Sequence, residues 1–211
     1  MSVLNNDLIK HIVLQTERMY CIMKTAKGYK LFRILKSQPG KLFPLYVYAT
    51  EEIPIGEWLK AKEGQKTENG KVKSKLGPLR FRPGFHINDI APYVSHIGKK
   101  VNGKICFMRP DTVWAEVEYC IDHDYCDEAK QNGYWNNVFY PVRADLDHIP
   151  MNGFYRYKTN PTMTGEWIIA GEMKVLRILS DVEVKEICDK VGSAYLPREH
   201  EIDLREYGFA A

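Results

Sequence analysis

The chain of 211 residues lacks the features that mark membrane and secreted proteins. No apolar run approaches the roughly 20 residues that a membrane-spanning helix needs, and no basic segment followed by an apolar stretch indicates a signal peptide. The five cysteines include no CxxC pair, which favours reduced thiols over a disulfide framework. We therefore expect a cytoplasmic protein with no membrane contact.

The short signatures of common enzymes are missing as well. The sequence has no GxxxxGKS/T phosphate loop, no GxGxxG turn after a strand, no GxSxG elbow and no HExxH helix. P-loop nucleotidases, Rossmann dehydrogenases, α/β-hydrolases and zincins are therefore not indicated. Function has to be argued from less specific clusters of side chains.

What is present is an ordinary globular composition, with 45% apolar and 27% charged residues, which predicts one domain over residues 1–211. Val113–Tyr119 alternates apolar and polar residues, as a half-buried strand does. Ser180 and Glu183 have the spacing of a capping box, so a helix is predicted from there to Gly192. Strands outnumber helices and are separated by turns. The pattern predicts an α+β fold with a few short helices and a mainly antiparallel sheet, which is either continuous or split.

Five further local features are expected. Thr25–Gly28 is predicted as the turn of a hairpin, and Leu42–Tyr48 as an edge strand interrupted by proline. Asn88 is predicted to cap a helical turn that reaches Tyr93. Asn5–Gln15 fits a helix or a strand equally well, and the charged tail from about Pro197 is expected to lie over the surface.

The segment Lys60–Lys75 differs in composition from the rest of the chain. It contains six lysines, and Val72 is the only apolar residue between Ala61 and Leu76. We expect a mobile, exposed loop that either contacts a nucleic acid, phosphate or protein partner or only solvates the fold. The solvated loop is the commoner outcome, and the formal net charge of +3 is too small to argue nucleic-acid binding by itself.

The most site-like feature is the run from Leu79 to His86, where basic and aromatic residues alternate around a Pro-Gly turn. Arg80 and Arg82 are suited to binding phosphate or carboxylate, and His86 to acid–base chemistry or to a hydrogen bond with a ribose. On a short helix, Tyr93 and His96 would join the same side. The alternative is a tight turn whose arginines pair with surface carboxylates.

Three other segments contain side chains of the kinds used in catalysis or metal binding. Cys120–Cys126 holds two thiols, one imidazole and two carboxylates, but the spacing is not that of a zinc site, and no metal is expected. Asp145–His148 fits an acid–base pair, although a polar loop is favoured. Glu166 opens an apolar strand, where a carboxylate meets substrate at a sheet end or merely follows a surface turn.

Two family resemblances extend this interpretation. The run RPGFHINDIAPYVSHIG, followed by VWAEVEY and WIIAGEMKVLRILSD, resembles an uncharacterised family of bacteriophages and mobile elements, over Leu42 to about Val191. That resemblance implies the cytoplasm of a bacterial host. The run Glu166-Trp167-Ile168-Ile169 resembles the Glu-aromatic-Ile/Val-Val strand of ADP-ribosyltransferases.

The second resemblance implies a split sheet that binds NAD as a substrate, with no resident cofactor. Glu166 would then bond the ribose 2′-hydroxyl, and either Arg33 or His86 would hold the NAD. On this hypothesis Glu166 and His86 are catalytic, and the ligand-binding residues are Arg33, Arg80, Arg82, Tyr93 and His96. The alternative is a non-catalytic module that binds a nucleotide, a nucleic acid or a protein, and the sequence does not define an oligomeric state.

Overall fold

The alternating segment around Val117 forms a strand, and this strand lies inside the main sheet. The structure, a computed structural model, describes residues 23–93, 98–107, 111–133, 144–158, 163–198 and 200–209, without the side chains of 99, 101 and 104–107. The strands are β1 (Thr25–Leu35), β2 (Gln38–Phe43), β3 (Trp58–Lys60), β4 (Lys71–Val72), β5 (Leu79–Arg80), β6 (Phe85–Asn88), β7 (Gly98–Val101), β8 (Lys104–Phe107), β9 (Thr112–Cys120), β10 (His123–Asp124), β11 (Gly153–Tyr157), β12 (Trp167–Ala170) and β13 (Glu172–Ile178). The helices are α1 (Cys126–Asn132), α2 (Asp181–Val191) and a 3-10 helix (Leu204–Tyr207).

Nine strands form the main sheet, in the order β10-β11-β12-β6-β1-β9-β13-β3, with β2 also paired to β1. The named strand pairs are antiparallel except β10 with β11, so the sheet is mixed. Two small antiparallel sheets, β4–β5 and β7–β8, stand apart from it. The predicted sheet-dominated α+β class is confirmed in this broad form.

The predicted hairpin turn at Thr25–Gly28 is wrong, because these residues belong to one continuous strand. β1 pairs with β9 from Thr25 opposite Cys120 to Arg33 opposite Thr112. A Cβ atom on Gly28 would lie 2.6 Å from the Asn88 carbonyl oxygen. The glycine therefore allows β6 to approach β1 closely, and it is not needed for a turn.

The other edge of β1 is shared by two strands. β6 pairs with it at Tyr29, and β2 pairs with it from Arg33. The strand predicted through Tyr48 is wrong beyond Phe43, where β2 ends. Pro44 follows at once and cannot donate to a ladder, and Tyr48 has a positive φ of 51° that no strand contains.

Side chains alternate between two buried clusters, one on each face of the main sheet. We call the face of Trp114, Tyr155 and Ile169 the first face, and the face of Phe32 and Ile168 the second face. The two faces are covered differently. On the first face lie Val184 and Cys188 of α2 and Ala129 of α1, and on the second lies Phe209 of the C-terminal segment.

The predicted capping box is confirmed at the start of α2. The Ser180 hydroxyl accepts from the Glu183 backbone N–H at 3.2 Å, and the Glu183 carboxylate accepts from the Ser180 backbone N–H at 2.8 Å. Gly192 ends the helix with a left-handed φ of 67°. Local polar contacts thus define both ends of this helix.

The helical turn predicted after Asn88 is wrong. Asn88 is the last residue of β6, and its side-chain amide donates to the Tyr93 carbonyl at 3.0 Å, which caps a bend. The tail does more than lie over the surface, because Phe209 is buried in the second-face cluster. The segments predicted over Asn5–Gln15 and at His96 lie outside the described residues. Within the described parts, no helix has the length and apolarity to cross a membrane.

Candidate functional site

The lysine-rich segment is organised by a short strand ladder. β4 pairs with β5, which places Lys71 opposite Arg80, and Lys66 forms a further bridge to Val72. The Lys73 N–H donates to the Gln65 carbonyl at 2.9 Å. Val72 is buried, so its alternating neighbours Lys71 and Lys73 point outward. We call Lys66–Arg80 the lysine hairpin.

The charge of this region exceeds that of the whole protein. Residues 60–75 carry six lysines against two glutamates, a net charge of +4, whereas the whole chain carries +3. Lys60 and Lys62 pair with Glu172 and Glu51, at 3.6 and 2.7 Å. Among the residues that the structure describes, no carboxylate pairs with the ammonium groups of three lysines of the hairpin, which are Lys71, Lys73 and Lys75.

Two arginines share one carboxylate beside the hairpin. The Arg80 Nε donates to Asp145 Oδ2 at 2.6 Å, and the Arg82 Nε donates to Asp145 Oδ1 at 3.2 Å. The Arg82 guanidinium also lies 4.2 Å from the centre of the Tyr157 ring. We call Arg80, Arg82 and Asp145 the arginine cluster, which has a net charge of +1 at neutral pH.

Arg82 is the buried member of the cluster, with 9% of its side chain exposed. Burial alone would lower its pKa, but Tyr157 and Asp145 raise it on balance. Its Nη2 atom is buried and has no hydrogen-bond partner in the described part of the protein. A buried donor without an acceptor is unfavourable by about 1–3 kcal/mol, so the hydrogen-bonding capacity of Arg82 is only partly used by the described residues.

Arg80 and Asp145 of the cluster border an open cleft of about 900 Å³ together with the hairpin, and Arg82 is not among the lining residues. Its polar lining residues are Asn69, Lys71, Arg80, Asn132, Asp145 and Asp147. Asp145 is fixed in this wall because its backbone N–H donates to the Ala129 carbonyl of α1 at 2.9 Å. The cleft thus has the basic groups of Lys71 and Arg80 and the amides of Asn69 and Asn132 beside two carboxylates, and these four donor side chains are of the kind that binds phosphate oxygens.

His86 lies next to the arginine cluster. Its Nε2 is 3.0 Å from the Arg82 carbonyl oxygen, and its own carbonyl accepts from the Lys30 ammonium at 2.8 Å. Burial lowers the pKa of Lys30 to about 8. The imidazole is therefore hydrogen-bonded to the protein's own backbone, an arrangement suited to positioning Arg82.

Glu166 lies in a different place. It lines a pocket of about 470 Å³ with Asp124, Cys126, Asp127, Lys130 and Arg156, which we call the Glu166 pocket. Burial raises the pKa of the Cys126 thiol to about 11, so this thiol is protonated at neutral pH. Three carboxylates face two basic groups here, so the net charge is opposite to that of the arginine cluster.

Glu166 and His86 do not share a pocket. His86 pairs with Ile169, whose side chain belongs to the first face. Glu166 immediately precedes β12 and lines its pocket with Arg156, which pairs with the second-face residue Ile168. His86 is not among the residues that line this pocket.

The remaining predicted residues have structural contacts of their own. Arg33 is 5% exposed, donates to the Ala49 carbonyl and lies 5.9 Å from the Phe43 ring. Tyr93 packs against the first-face cluster, and its carbonyl accepts from Asn88. His96 lies outside the described residues. The structure therefore brings together Arg80, Arg82 and His86 of the predicted set.

Sequence reasoning missed Asp145, which it treated as part of a polar loop. This carboxylate is 7% exposed and joins the two arginines across more than sixty positions of the chain. Only the need of two half-buried arginines for a counter-ion pointed to it. The expectation of a mobile loop also missed Lys71, whose position opposite Arg80 depends on the β4–β5 pairing.

Comparisons of the chain with protein families, with curated proteins and with solved structures find no match. Both resemblances drawn from the sequence therefore stay predictions. Within the described ranges, no group of three or more histidine, cysteine, aspartate or glutamate side chains has the arrangement of a metal site.

Proposed function

We propose that this protein is a non-catalytic binding module for a phosphate-bearing ligand, held in the cleft between the lysine hairpin and the arginine cluster. The observation that carries the proposal is one wall of that cleft, where Lys71 lies opposite Arg80 in the β4–β5 ladder and both residues line the cavity. Arginine binds phosphate through paired N–H groups, and Arg80 is the arginine that borders the cleft.

The charge of the cleft supports the same ligand. Lys71 stands directly opposite Arg80 in the β4–β5 ladder, and like charges in such a pair are unfavourable. Asp145 neutralises only one of the nearby positive charges, since it is shared between two arginines. An anion bound in the cleft would relieve this repulsion, which favours anion binding there.

The transferase alternative has less support, because it needs Glu166 in one site with either His86 or Arg33. Neither residue lines the Glu166 pocket, and Arg33 is buried and bonded to the Ala49 carbonyl. NAD and nucleotides still carry phosphates, so they belong among the ligands to test. A nucleotide-binding function at the arginine cluster would not require Glu166.

Isothermal titration with inorganic tripolyphosphate tests the proposal without assuming a base or a sugar. We expect saturable binding whose affinity falls as sodium chloride is raised, because charged contacts are screened. The Lys71→Ala/Lys73→Ala variant should bind at least about ten-fold more weakly, a loss of roughly 1.4 kcal/mol. Both side chains are exposed, so the fold should be unaffected.

The matched control removes two lysines from α2. Lys185→Ala/Lys190→Ala changes the net charge by the same amount and should leave the affinity within about two-fold, since only local charge matters at physiological salt. Equal losses in both variants would show unspecific attraction, and no binding by the unmodified protein would refute the proposal.

A further inference from the structure

Two exposed aromatic rings each have an ammonium group above them, and one of them, Tyr48, adjoins the lysine hairpin. The Tyr48 and Trp58 side chains are large apolar groups with 39% and 38% exposure. Lys62 lies 5.8 Å from the Tyr48 ring centre, and Lys174 lies 5.0 Å from that of Trp58. These rings are flat apolar surfaces in a basic surrounding.

Tyr48 is held outward at a backbone cost. Its φ of 51° lies in the left-handed region, which a tyrosine seldom adopts. Its hydroxyl donates to the Glu63 carbonyl, and its own carbonyl accepts from the Glu51 N–H at 2.9 Å. A strained residue that exposes its ring is more often retained for binding than for packing.

The ring also adjoins the hairpin itself. Glu63, its hydroxyl partner, leads into the hairpin, and the Lys75 N–H donates to the carbonyl of Tyr46 at 3.1 Å. On the far side, Lys66 lies 4.0 Å from the centre of the Phe81 ring, which lines the cleft. Basic groups and rings thus alternate from Tyr48 across the hairpin to the cleft.

We infer that the phosphate-bearing ligand is a single-stranded nucleic acid, whose phosphates contact Lys71, Lys73 and the arginine cluster while an unpaired base stacks on Tyr48. This inference rests on the proposed function and adds the polymer and the base. A basic groove with exposed rings is the arrangement that binds single strands without sequence preference. The bases of a duplex are already stacked inside the helix, so none of them is available to stack on Tyr48. The open cleft and the spread of lysines beyond it fit a polymer better than a mononucleotide.

Fluorescence anisotropy with labelled twelve-nucleotide oligothymidylate and oligouridylate, the matching duplex and unlabelled polyphosphate competitor tests the inference. At physiological salt the single strands should bind at least about ten-fold more tightly than the duplex, because each stacked base adds roughly 1–3 kcal/mol. Ribose and deoxyribose strands are both included, so that either sugar is detected. Equal affinity for duplex and single strands would overturn the inference.

Substitution of Tyr48 separates stacking from charge. Tyr48→Asn removes the ring with a residue that tolerates the left-handed backbone, so the fold should be kept. It should weaken single-strand binding about ten-fold and leave tripolyphosphate binding unchanged. Tyr48→Phe keeps the ring and loses only the hydroxyl bond, and should bind single strands within about three-fold of the unmodified protein.

The two layers of the proposal fail differently. Tripolyphosphate binding with no preference for single strands, or with no effect of Tyr48→Asn, would leave the phosphate site standing and remove the nucleic-acid inference. If the unmodified protein bound neither tripolyphosphate nor single strands, both the phosphate site and the nucleic-acid inference would be wrong.

Discussion

The arginine cluster and the Glu166 pocket are built from the same residue types with opposite results. In the arginine cluster, one carboxylate serves two guanidinium groups, and one of these is buried with a donor left over. In the Glu166 pocket, three carboxylates surround two basic groups, and Lys130 already pairs with Asp127 at 3.4 Å. The difference teaches that local stoichiometry, more than the presence of a carboxylate at a strand end, decides which site attracts an anion.

The largest effect is expected at Asp145, the carboxylate that the two arginines of the cluster share. Asp145→Asn removes the carboxylate that pairs with both arginines, and removing one partner of a buried ion pair is destabilising by about 3–5 kcal/mol. The free energy of unfolding in urea measures this loss. Asp147→Asn, at a neighbouring exposed carboxylate, should change it by less than about 0.5 kcal/mol. Similar small losses in both variants would show that the cluster is not a coupled unit.

The second prediction concerns Lys30, which bonds to the strand that carries His86. Lys30→Met should raise the free energy of unfolding at pH 7 by on the order of 1–3 kcal/mol, because it removes a charge that burial disfavours. The folded pKa is lowered to about 8, so the unfolded state binds more protons between there and the ordinary lysine value of roughly 10.4. Stability of the unmodified protein should therefore rise with pH across that window.

Urea unfolding at pH 7 and at pH 10 tests both parts of this prediction. The variant should lack the rise that the unmodified protein shows. Lys190→Met, on the exposed side of α2, is the matched control and should retain the rise. A variant that is less stable at pH 7 would indicate that the Lys30 ammonium is needed to hold the His86 carbonyl.

A smaller effect is expected at His148, on the loop that carries Asp145. A hydrogen bond to Glu128 and one to the Ile149 carbonyl raise the pKa of His148. The contribution of these His148 contacts to the free energy of unfolding is therefore complete below the ordinary histidine pKa of about 6.5. It is lost as pH rises through the raised pKa of the folded state. Both side chains are more than one-third exposed, so His148→Gln should cost less than about 1 kcal/mol at pH 6.

The difference between His148→Gln and the unmodified protein should disappear by pH 9, as measured by thermal unfolding at both pH values. Glu128→Gln should show the same pH dependence, since it removes the other half of the pair. A loss that is the same at both pH values would assign the effect to packing.

The smallest effect belongs to the Glu166 pocket. Glu166→Gln should change the free energy of unfolding by less than about 0.5 kcal/mol and leave tripolyphosphate affinity unchanged, because the hydrogen bonds of Glu166 to Asp89 are made by its backbone N–H and carbonyl. Calorimetric titration measures both consequences beside Asp145→Asn. A ten-fold change in affinity would move the anion site to this pocket and restore the transferase hypothesis.

Local patterns predicted the elements whose determinants lie close together in sequence. The alternation of Val113–Tyr119 and the capping box of Ser180 and Glu183 were sufficient, because period and cap are local properties. Gly28 misled, since a glycine signals a turn and a close strand approach equally well, and only the position of β6 decides between them.

The site was predictable in part for the same reason. The basic groups between Arg80 and His86 were visible in the sequence, and the two arginines of this run do share a carboxylate. Their shared carboxylate is distant in sequence and became visible only through folding. Glu166 was correctly expected beside the start of an apolar strand, since β12 begins at Trp167, but the pocket that it lines is formed with residues distant in sequence and does not include His86.

The most direct test of the anion site is an NMR titration of the arginine Nε–H resonances with tripolyphosphate. The account predicts that the Arg80 and Arg82 resonances shift together and saturate, while that of Arg156 in the Glu166 pocket stays in place. Shifts at Arg156 with unchanged Arg80 and Arg82 resonances would contradict it.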